Sequence, residues 1–197
     1  MARGPRLIGR RQPSGQGGRG GQVPEGPQLD VRVIRSNKVF KTHKGGKTAS
    51  WSIMVVVGDN KGSVGVGLGK ARGIPDAIKK AEDAAKKNMF RVPMIGHTIP
   101  HEITARYGAA TVVLKPASPG TGVKAGSAVR QCLEAAGIHD VLSKCLGSRN
   151  GTNLAYATVR AFKELSAPED AAGKRGADVK SLVPWLEKAR KEEELHA

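Results

Sequence analysis

The 197-residue chain carries 33 Lys+Arg against 17 Asp+Glu, a formal net charge of +16 and a pI near 10.3. A surplus of that size repels itself in a compact state, so it calls for a polyanion nearby, nucleic acid first and an acidic membrane surface second. The two cysteines, Cys132 and Cys145, have no CxxC spacing, which argues against a zinc site or disulfide framework and for reduced cytosolic thiols, and no apolar run approaches a membrane span.

Residues 1–27 hold five arginines against one glutamate, and their Gly/Arg-rich composition predicts a disordered basic tail. Gly and Pro throughout 12–27 forbid the amphipathic helix of an organelle transit peptide. Residues 167–197 carry six cations and seven acids, so +13 of the +16 lies on residues 28–166. The charge belongs to the folded part of the chain. Aromatics are only 4% and Gly reaches 26 residues, which predicts light cores of Val, Ile, Leu and Ala and some dependence on a partner for stability.

The first unit is expected over 28–95. A β-rich segment at 29–44 ends at Gly45-Gly46, and a second, almost wholly apolar strand runs from Ala49 to Val57. The turn Gly58-Asp59-Asn60-Lys61-Gly62 is a strong hairpin signal. A third strand, Ser63 to Leu68, puts Val64, Val66 and Leu68 on one face and Gly65, Gly67 and Gly69 on the other. A glycine face has no side chains to clash, so another backbone can lie directly on it. From Pro75 to Met89 the period becomes helical, with an apolar stripe of Ile74, Ala77, Ile78, Ala81, Ala84, Ala85 and Met89. Lys79, Lys80, Lys86 and Lys87 take the outer surface, either as a solvated face or as a polyanion contact. The unit reads β-β-β-α.

A second unit is expected over 96–166. Ile99–Thr104 and Ala110–Lys115 read as strands joined through Arg106-Tyr107-Gly108, and Pro116–Gly122 as a loop. Ala125–Ala136 reads as a helix stopped by Gly137 in a C-cap role. Val141–Leu146 is a short strand or a turn of helix, Gly147–Gly151 a turn, and Asn153–Ser166 an amphipathic helix. Residues 167–197 form a partly helical extension, with one helix expected over Ser181–Leu195 and interrupted at Pro184.

Glycine-rich segments invite nucleotide-site readings, and each fails on a required position. Gly69-Lys70 ends like a phosphate loop, but Val64 stands where its first glycine belongs and Ala71 replaces Ser/Thr; Gly46-Lys47-Thr48 has Lys41 there instead. Gly120-x-Gly122-x-x-Ala125, with Asp140 further on, imitates a dinucleotide fingerprint. Asp140 precedes the apolar Val141-Leu142 instead of ending a strand, and the chain left over cannot build a doubly wound sheet, so a plain loop-to-helix turn is the reading. His101-Glu102 starts an HExxH that ends in Ala105, leaving no metal motif. No triad or paired-carboxylate spacing stands out. No catalytic site, metal or cofactor is expected.

The basic run survives the same weighing. Arg32, Arg35, Lys38, Lys41, Lys44 and Lys47 crowd a strand and its turn with no acid among them, a density that neither a core nor a tight turn needs. Gly45 and Gly46 let the hairpin tip present backbone N–H groups to phosphate while flanking lysines neutralise it. Phe40 and Trp51 could stack on bases, with burial the simpler fate for Trp51. So few aromatics fit single-strand stacking poorly. Folded RNA, recognised by shape and backbone, fits better.

Five motifs then occur in order: Asn37-Lys-Val-Phe-Lys-Thr-His-Lys-Gly-Gly-Lys47, Val56-Val-Gly-Asp-Asn-Lys-Gly62, Gly67-Leu-Gly-Lys-Ala-Arg72, Ile99-Pro-His-Glu-Ile103 and Pro116-Ala-Ser-Pro-Gly-Thr-Gly-Val-Lys-Ala-Gly126. With Gly147-Ser148 and Lys174-Arg-Gly176 they closely resemble the bacterial type of small-subunit ribosomal protein five, over about 29–177. The resemblance implies an α+β chain: a double-stranded-RNA-binding-like β-β-β-α domain without its usual first helix, then an α/β domain with a left-handed βαβ crossover, where general rules predict a right-handed one. It implies a non-enzymatic constituent of the cytoplasmic ribosome that binds 16S-type ribosomal RNA, with roles in assembly and decoding accuracy. The Lys38–Lys47 hairpin would reach the head–body junction beside the spectinomycin site; Lys41, Lys44, Gly45 and Gly46 match that motif directly, and Arg35, Lys38, Lys47, Lys70 and Arg72 join them as candidate RNA contacts. Ser118, Gly120, Thr121 and Gly122 would lie at the interface with small-subunit protein four. The C-terminal region would approach protein eight, and the protein would line the channel through which messenger RNA enters. Leu68 stands where relatives often carry an aromatic and Gly151 where they often carry Pro, which would loosen that turn. Two rivals remain: an RNA-processing enzyme or subunit, since the second-domain fold is similar to that of the ribonuclease P protein and of small-molecule kinases, and a free double-stranded-RNA-binding module.

Overall fold

The computed structural model describes residues 29–176; the basic tail and the helix expected over 181–195 lie outside the described residues. Strands β1 (Asp30–His43), β2 (Gly46–Gly58) and β3 (Ser63–Ala71) pair antiparallel, α1 (Ile74–Lys87) follows, and β4 (Phe90–Arg91) completes the sheet in the order β1-β2-β3-β4. The fourth strand was not expected, because two residues show no period; its register, Val64 opposite Phe90, is set by β3. Strand β3 outruns its expected end at Leu68 because β2 offers partners as far as Trp51 opposite Ala71.

The glycine face of β3 is covered as its sequence predicts. Helix α1 lies on it so closely that a Cβ on Gly67 would run into the Ala81 carbonyl and sit 2.5 Å from Ala85 N, and one on Gly69 would sit 2.6 Å from Ala81 N. Ala77, Ala81 and Ala85 close this layer against Ile53, Val55 and Val57. Ile74, expected in the stripe, is instead 43% exposed at the first turn, beyond the edge of the sheet face.

The second sheet has the order β5-β6-β8-β7, from β5 (Ile103–Tyr107), β6 (Ala110–Pro116), β7 (Val123–Lys124) and β8 (Val141–Gly147). Only β7 and β8 are parallel, and α2 (Ser127–Ala136) joins them as a βαβ unit; α3 (Gly151–Glu164) and α4 (Pro168–Arg175) follow. The chain is thus α+β with an α/β second half. Several expected bounds shift. The strand expected over Ile99–Thr104 begins at Ile103, because residues 95–98 close a tight bridge, Ile95 N–H to Thr98 O at 3.0 Å and the reverse at 3.1 Å, and Pro100 has no N–H for a ladder. Helix α2 starts at Ser127 because Val123–Lys124 is used by β7. Residues 141–147 resolve as strand, since β6 offers a full antiparallel edge. Helix α3 starts at Gly151, whose predecessor Asn150 accepts the Thr152 N–H as N-cap. Gly151 therefore occupies the first helical position, a place Pro also favours, and not a loosened turn. Helix α4 lies in the extension expected to be partly helical, ahead of the one helix placed there over Ser181–Leu195.

The two halves share one interior. Met54, Val56, Val64 and Val66, on the sheet face away from α1, join Val129, Leu133, Ala136, Leu154 and Phe162 in a single buried cluster. The β2–β3 turn seals the joint: Asn60 N–H donates to Ala135 O at 3.1 Å and Gly62 N–H to Ala136 O at 2.9 Å. These carbonyls end α2 and would otherwise lack partners. Gly137 caps the same end in the left-handed region (φ 84°), as its sequence position predicts.

Candidate nucleic-acid interface

Beyond Arg35 and Trp51 the β1–β2 ladder continues as a two-stranded ribbon that leaves the body of the sheet. Residues 35–48 are all exposed, and the pairing holds out to His43 opposite Gly46, leaving Lys44-Gly45 as a two-residue tip. Gly46 takes φ 148°, and a Cβ on Gly45 or Gly46 would meet nothing within 4 Å. The tip is free of the rest of the chain.

The register distributes the cations. Lys38, Lys41, Lys44 and Lys47 recur every three residues, while strand side chains alternate every two, so successive cations fall on opposite faces. Lys41, opposite Thr48, shares a face with Arg35 and with Lys70, which pairs Ser52. Along β2, Thr48 and Ser52 are about 13 Å apart at the usual strand rise. Lys38 and Lys47 lie on the other face with Phe40 and Trp51, and Lys44 is at the tip. Arg72 is exposed just past β3, beside the ribbon's base. Trp51 is partly buried against the α1 layer; Phe40 is 58% exposed, with Lys38 Nζ 5.4 Å from its ring centroid.

The expectation of six unopposed cations fails at Arg32, while Arg35 keeps an unopposed charge but not all of its donors. Arg32 is not free for a ligand: its Nε donates to Asp30 at 2.7 Å and its Nη1 pairs with Glu134 on α2, which Arg130 also holds at 3.3 Å. The opposing acids lie outside the run, one of them 102 residues along the chain, beyond any local pattern. A bulge at Ile34 shifts the register between Val33 and Arg35 and turns Arg35 toward the second half, where its Nη1 reaches Asn150 Oδ1 at 3.2 Å and its Nε reaches Asn37 Oδ1 at 3.2 Å. Arg35 stays exposed but spends donors inside the chain. Lys38, Lys41, Lys44, Lys47 and Lys70 have no acid within ion-pair range among the described residues. Of the α1 lysines, Lys86 is paired with Glu82 at 2.7 Å.

The loop from Pro116 is anchored at both ends by buried polar groups. Thr98 Oγ1 accepts the Ala117 N–H at 3.4 Å, and Asp140, 6% exposed, accepts the Gly122 N–H at 2.8 Å. Between them the Ser118 carbonyl accepts both the N–H (3.2 Å) and the hydroxyl (2.7 Å) of Thr121. Gly120 and Gly122 take φ 81° and 73°, which a side chain would strain. Ser118 and Gly120 are exposed, and Thr121 and Gly122 are half-buried. Asp140, the acid of the dinucleotide-like spacing, is thus a loop anchor. His101 is also spent structurally, with Nδ1 donating to Glu102 O at 2.9 Å and Nε2 accepting the Ser166 N–H at 3.2 Å. No helix among the described residues is long and apolar enough to cross a membrane.

Comparison with known families finds two adjoining matches. Residues 29–93 match the model described as ribosomal protein S5, N-terminal domain, and residues 105–175 match ribosomal protein S5, C-terminal domain.

Proposed function

The chain belongs to the ribosomal protein S5 family, a structural, non-enzymatic family of rRNA-binding proteins of the ribosome, and on that premise we propose that its ribbon is inserted between rRNA segments. One observation carries this reading: four lysines spaced by three on a period-2 ribbon put positive charge on both faces and the tip. An element that lay flat on a duplex would need charge on one face only. Charge on both suits a cleft lined by phosphate on either side, such as the junction between the head and body of the small subunit, with Lys41 and Lys70 on one wall and Lys38 and Lys47 on the other. Contribution to subunit assembly follows, because a ribbon that neutralises two RNA segments at once draws them together.

The anchored Pro116–Gly126 loop is proposed as the seat of small-subunit protein four, through Ser118, Gly120, Thr121 and Gly122. Leu142, 42% exposed on β8 and next to Val141, whose N–H reaches Gly122 O, adds apolar contact area there. Through that neighbour the protein would influence decoding accuracy and the channel by which messenger RNA enters, with protein eight at the C-terminal region.

The test is co-sedimentation of tagged protein with small subunits through high-salt gradients, beside a Lys41→Glu/Lys44→Glu variant titrated with small-subunit rRNA. Wild type is expected in the subunit peak. The variant is expected to bind rRNA more weakly, with the slope of log K against log salt flattened by about one to two units. Protein found only in the soluble fraction, or a variant with unchanged affinity and slope, would sink the proposal.

A further inference from the structure

We propose that Phe40 is a stacking platform for an unpaired nucleobase of the bound RNA. This rests on the ribbon being an rRNA contact. Phe40 is 58% exposed and belongs to neither buried cluster. The other described aromatics are accounted for within the chain: Phe162 is fully buried, Trp51, Phe90 and Tyr156 are half-buried against the cores, and the 45%-exposed Tyr107 ring lies 5.1 Å from that of Tyr156. Along the exposed ribbon, residues 35–48, the apolar side chains longer than alanine are Val39, 40% exposed, and Phe40; Phe40 is the larger and the more exposed, an apolar ring uncovered until a partner arrives.

The surroundings of the ring select the partner. Ala49 is directly opposite on β2, so no tall side chain flanks the ring from across the ladder. Its neighbours on the same face are Lys38 and Thr42 along β1 and Lys47 and Trp51 on the diagonals. Lys38 Nζ stands 5.4 Å from the ring centroid, close enough for a cation–π contact. The arrangement is an aromatic ring with one ammonium over it and a second lysine, Lys47, on the diagonal of the same face, which matches a nucleotide: the open side of the ring for a base and the lysines for its phosphate. No acid occurs from Val31 to Gly58, so an apolar protein partner would have to desolvate those amines without compensation, whereas RNA brings its own anions. Within a continuous helix both faces of every base are covered by neighbours, so the ring reaches only a base in a loop, bulge or end.

The experiment uses the full chain and purified small-subunit rRNA. Phe40→Ala is expected to weaken binding roughly tenfold, the loss of one base–aromatic stack, with the salt slope unchanged because no charge is removed; Phe40→Tyr is expected to bind like wild type. Ultraviolet cross-linking of the wild-type complex is expected to join Phe40 to a nucleotide in a single-stranded segment, a readout that does not depend on how the variants fold. Phe40→Ala binding rRNA like wild type while Lys41→Glu/Lys44→Glu is impaired overturns the stacking and leaves the ribbon reading standing. A cross-link only to a nucleotide inside a continuous duplex also overturns it, as does a Phe40→Ala variant that binds rRNA normally but fails to enter subunits, the mark of a protein contact. Wild type that does not bind rRNA overturns both.

Discussion

Asp59 carries the turn on which the two halves of the molecule meet. Its Oδ1 accepts the N–H groups of Lys61 and Ser63, both at 2.8 Å, and so holds Asn60 in the left-handed region (φ 55°) with its N–H aimed at α2. Partial burial by itself would raise the Asp59 carboxyl, but the hydrogen bonds it accepts, first those from the Lys61 and Ser63 N–H groups and then from the Ser63 hydroxyl and its own N–H, together hold the group below its ordinary value of 3.8. A depressed carboxyl contributes stability that is present above the unfolded-state pKa and lost as pH falls through the folded one. Asp59→Ala is therefore expected to lower the unfolding free energy by about 1–2 kcal/mol at pH 7. In urea titrations the difference should close on acidification below the depressed value; a gap that stays constant with pH would show that the charge is irrelevant. The other acids of consequence, Asp140 and Glu134, were not legible as structural groups. Their partners, Gly122 and Arg32, are 18 and 102 residues away.

At the scale of the element, β3 and α1 form the unit most fully written in the sequence. Three glycines at alternate positions specify a face, and three alanines at helical spacing specify what lies on it. The prediction is correspondingly sharp. Gly67→Ala adds one methyl that meets helix backbone, not the end of a flexible side chain, and α1 must lift along its length. The expected cost is about 3 kcal/mol, the upper part of the range for overpacking, read as a lower melting temperature. A Gly45→Ala control meets open space and should leave stability nearly unchanged. Equal effects at the two positions would contradict the close approach of α1. The ribbon shows a second use of period: cations every three residues read as a featureless basic run in the sequence, and become two charged faces once the strand alternates them.

At the scale of the whole molecule, the sheet face bearing Met54, Val56, Val64 and Val66 has no covering element of its own in residues 29–93; the second half covers it. The two halves should therefore unfold together, with one calorimetric transition whose van't Hoff and calorimetric enthalpies agree. Residues 29–93 expressed alone would expose those four side chains and leave the Asn60 and Gly62 N–H groups unpaired. That fragment is expected to aggregate or bind a hydrophobic dye, as large exposed apolar patches do. Two separated transitions, or a soluble monomeric fragment with a native melting curve, would refute the shared core. The ion-pair network of Arg32, Asp30, Glu134 and Arg130 spans the same joint, but each partner is about a third or more exposed, so it orients the halves more than it holds them together.

The family, the α+β class, the longer strands and helices α1 to α3, the glycine face, the β2–β3 turn, the α2 cap and the position of the basic tip are all legible in the amino-acid sequence. All of these rest on contacts a few residues apart or on ordered motifs. The rest depends on chain segments that only folding brings together. The two-residue strands β4 and β7 exist only because a neighbouring edge offers hydrogen bonds, and β5 starts late because a local bridge and Pro100 hold the preceding chain. Arg32 leaves the set of free cations and Arg35 is partly withdrawn, because a bulge and a helix from the other half bring Glu134 and Asn150 to them. Phe40 is left bare because the register sets only Ala49 across from it. Sequence period reports which side of a strand a residue takes. What stands on that side is supplied by chain far away, and only the fold brings it there.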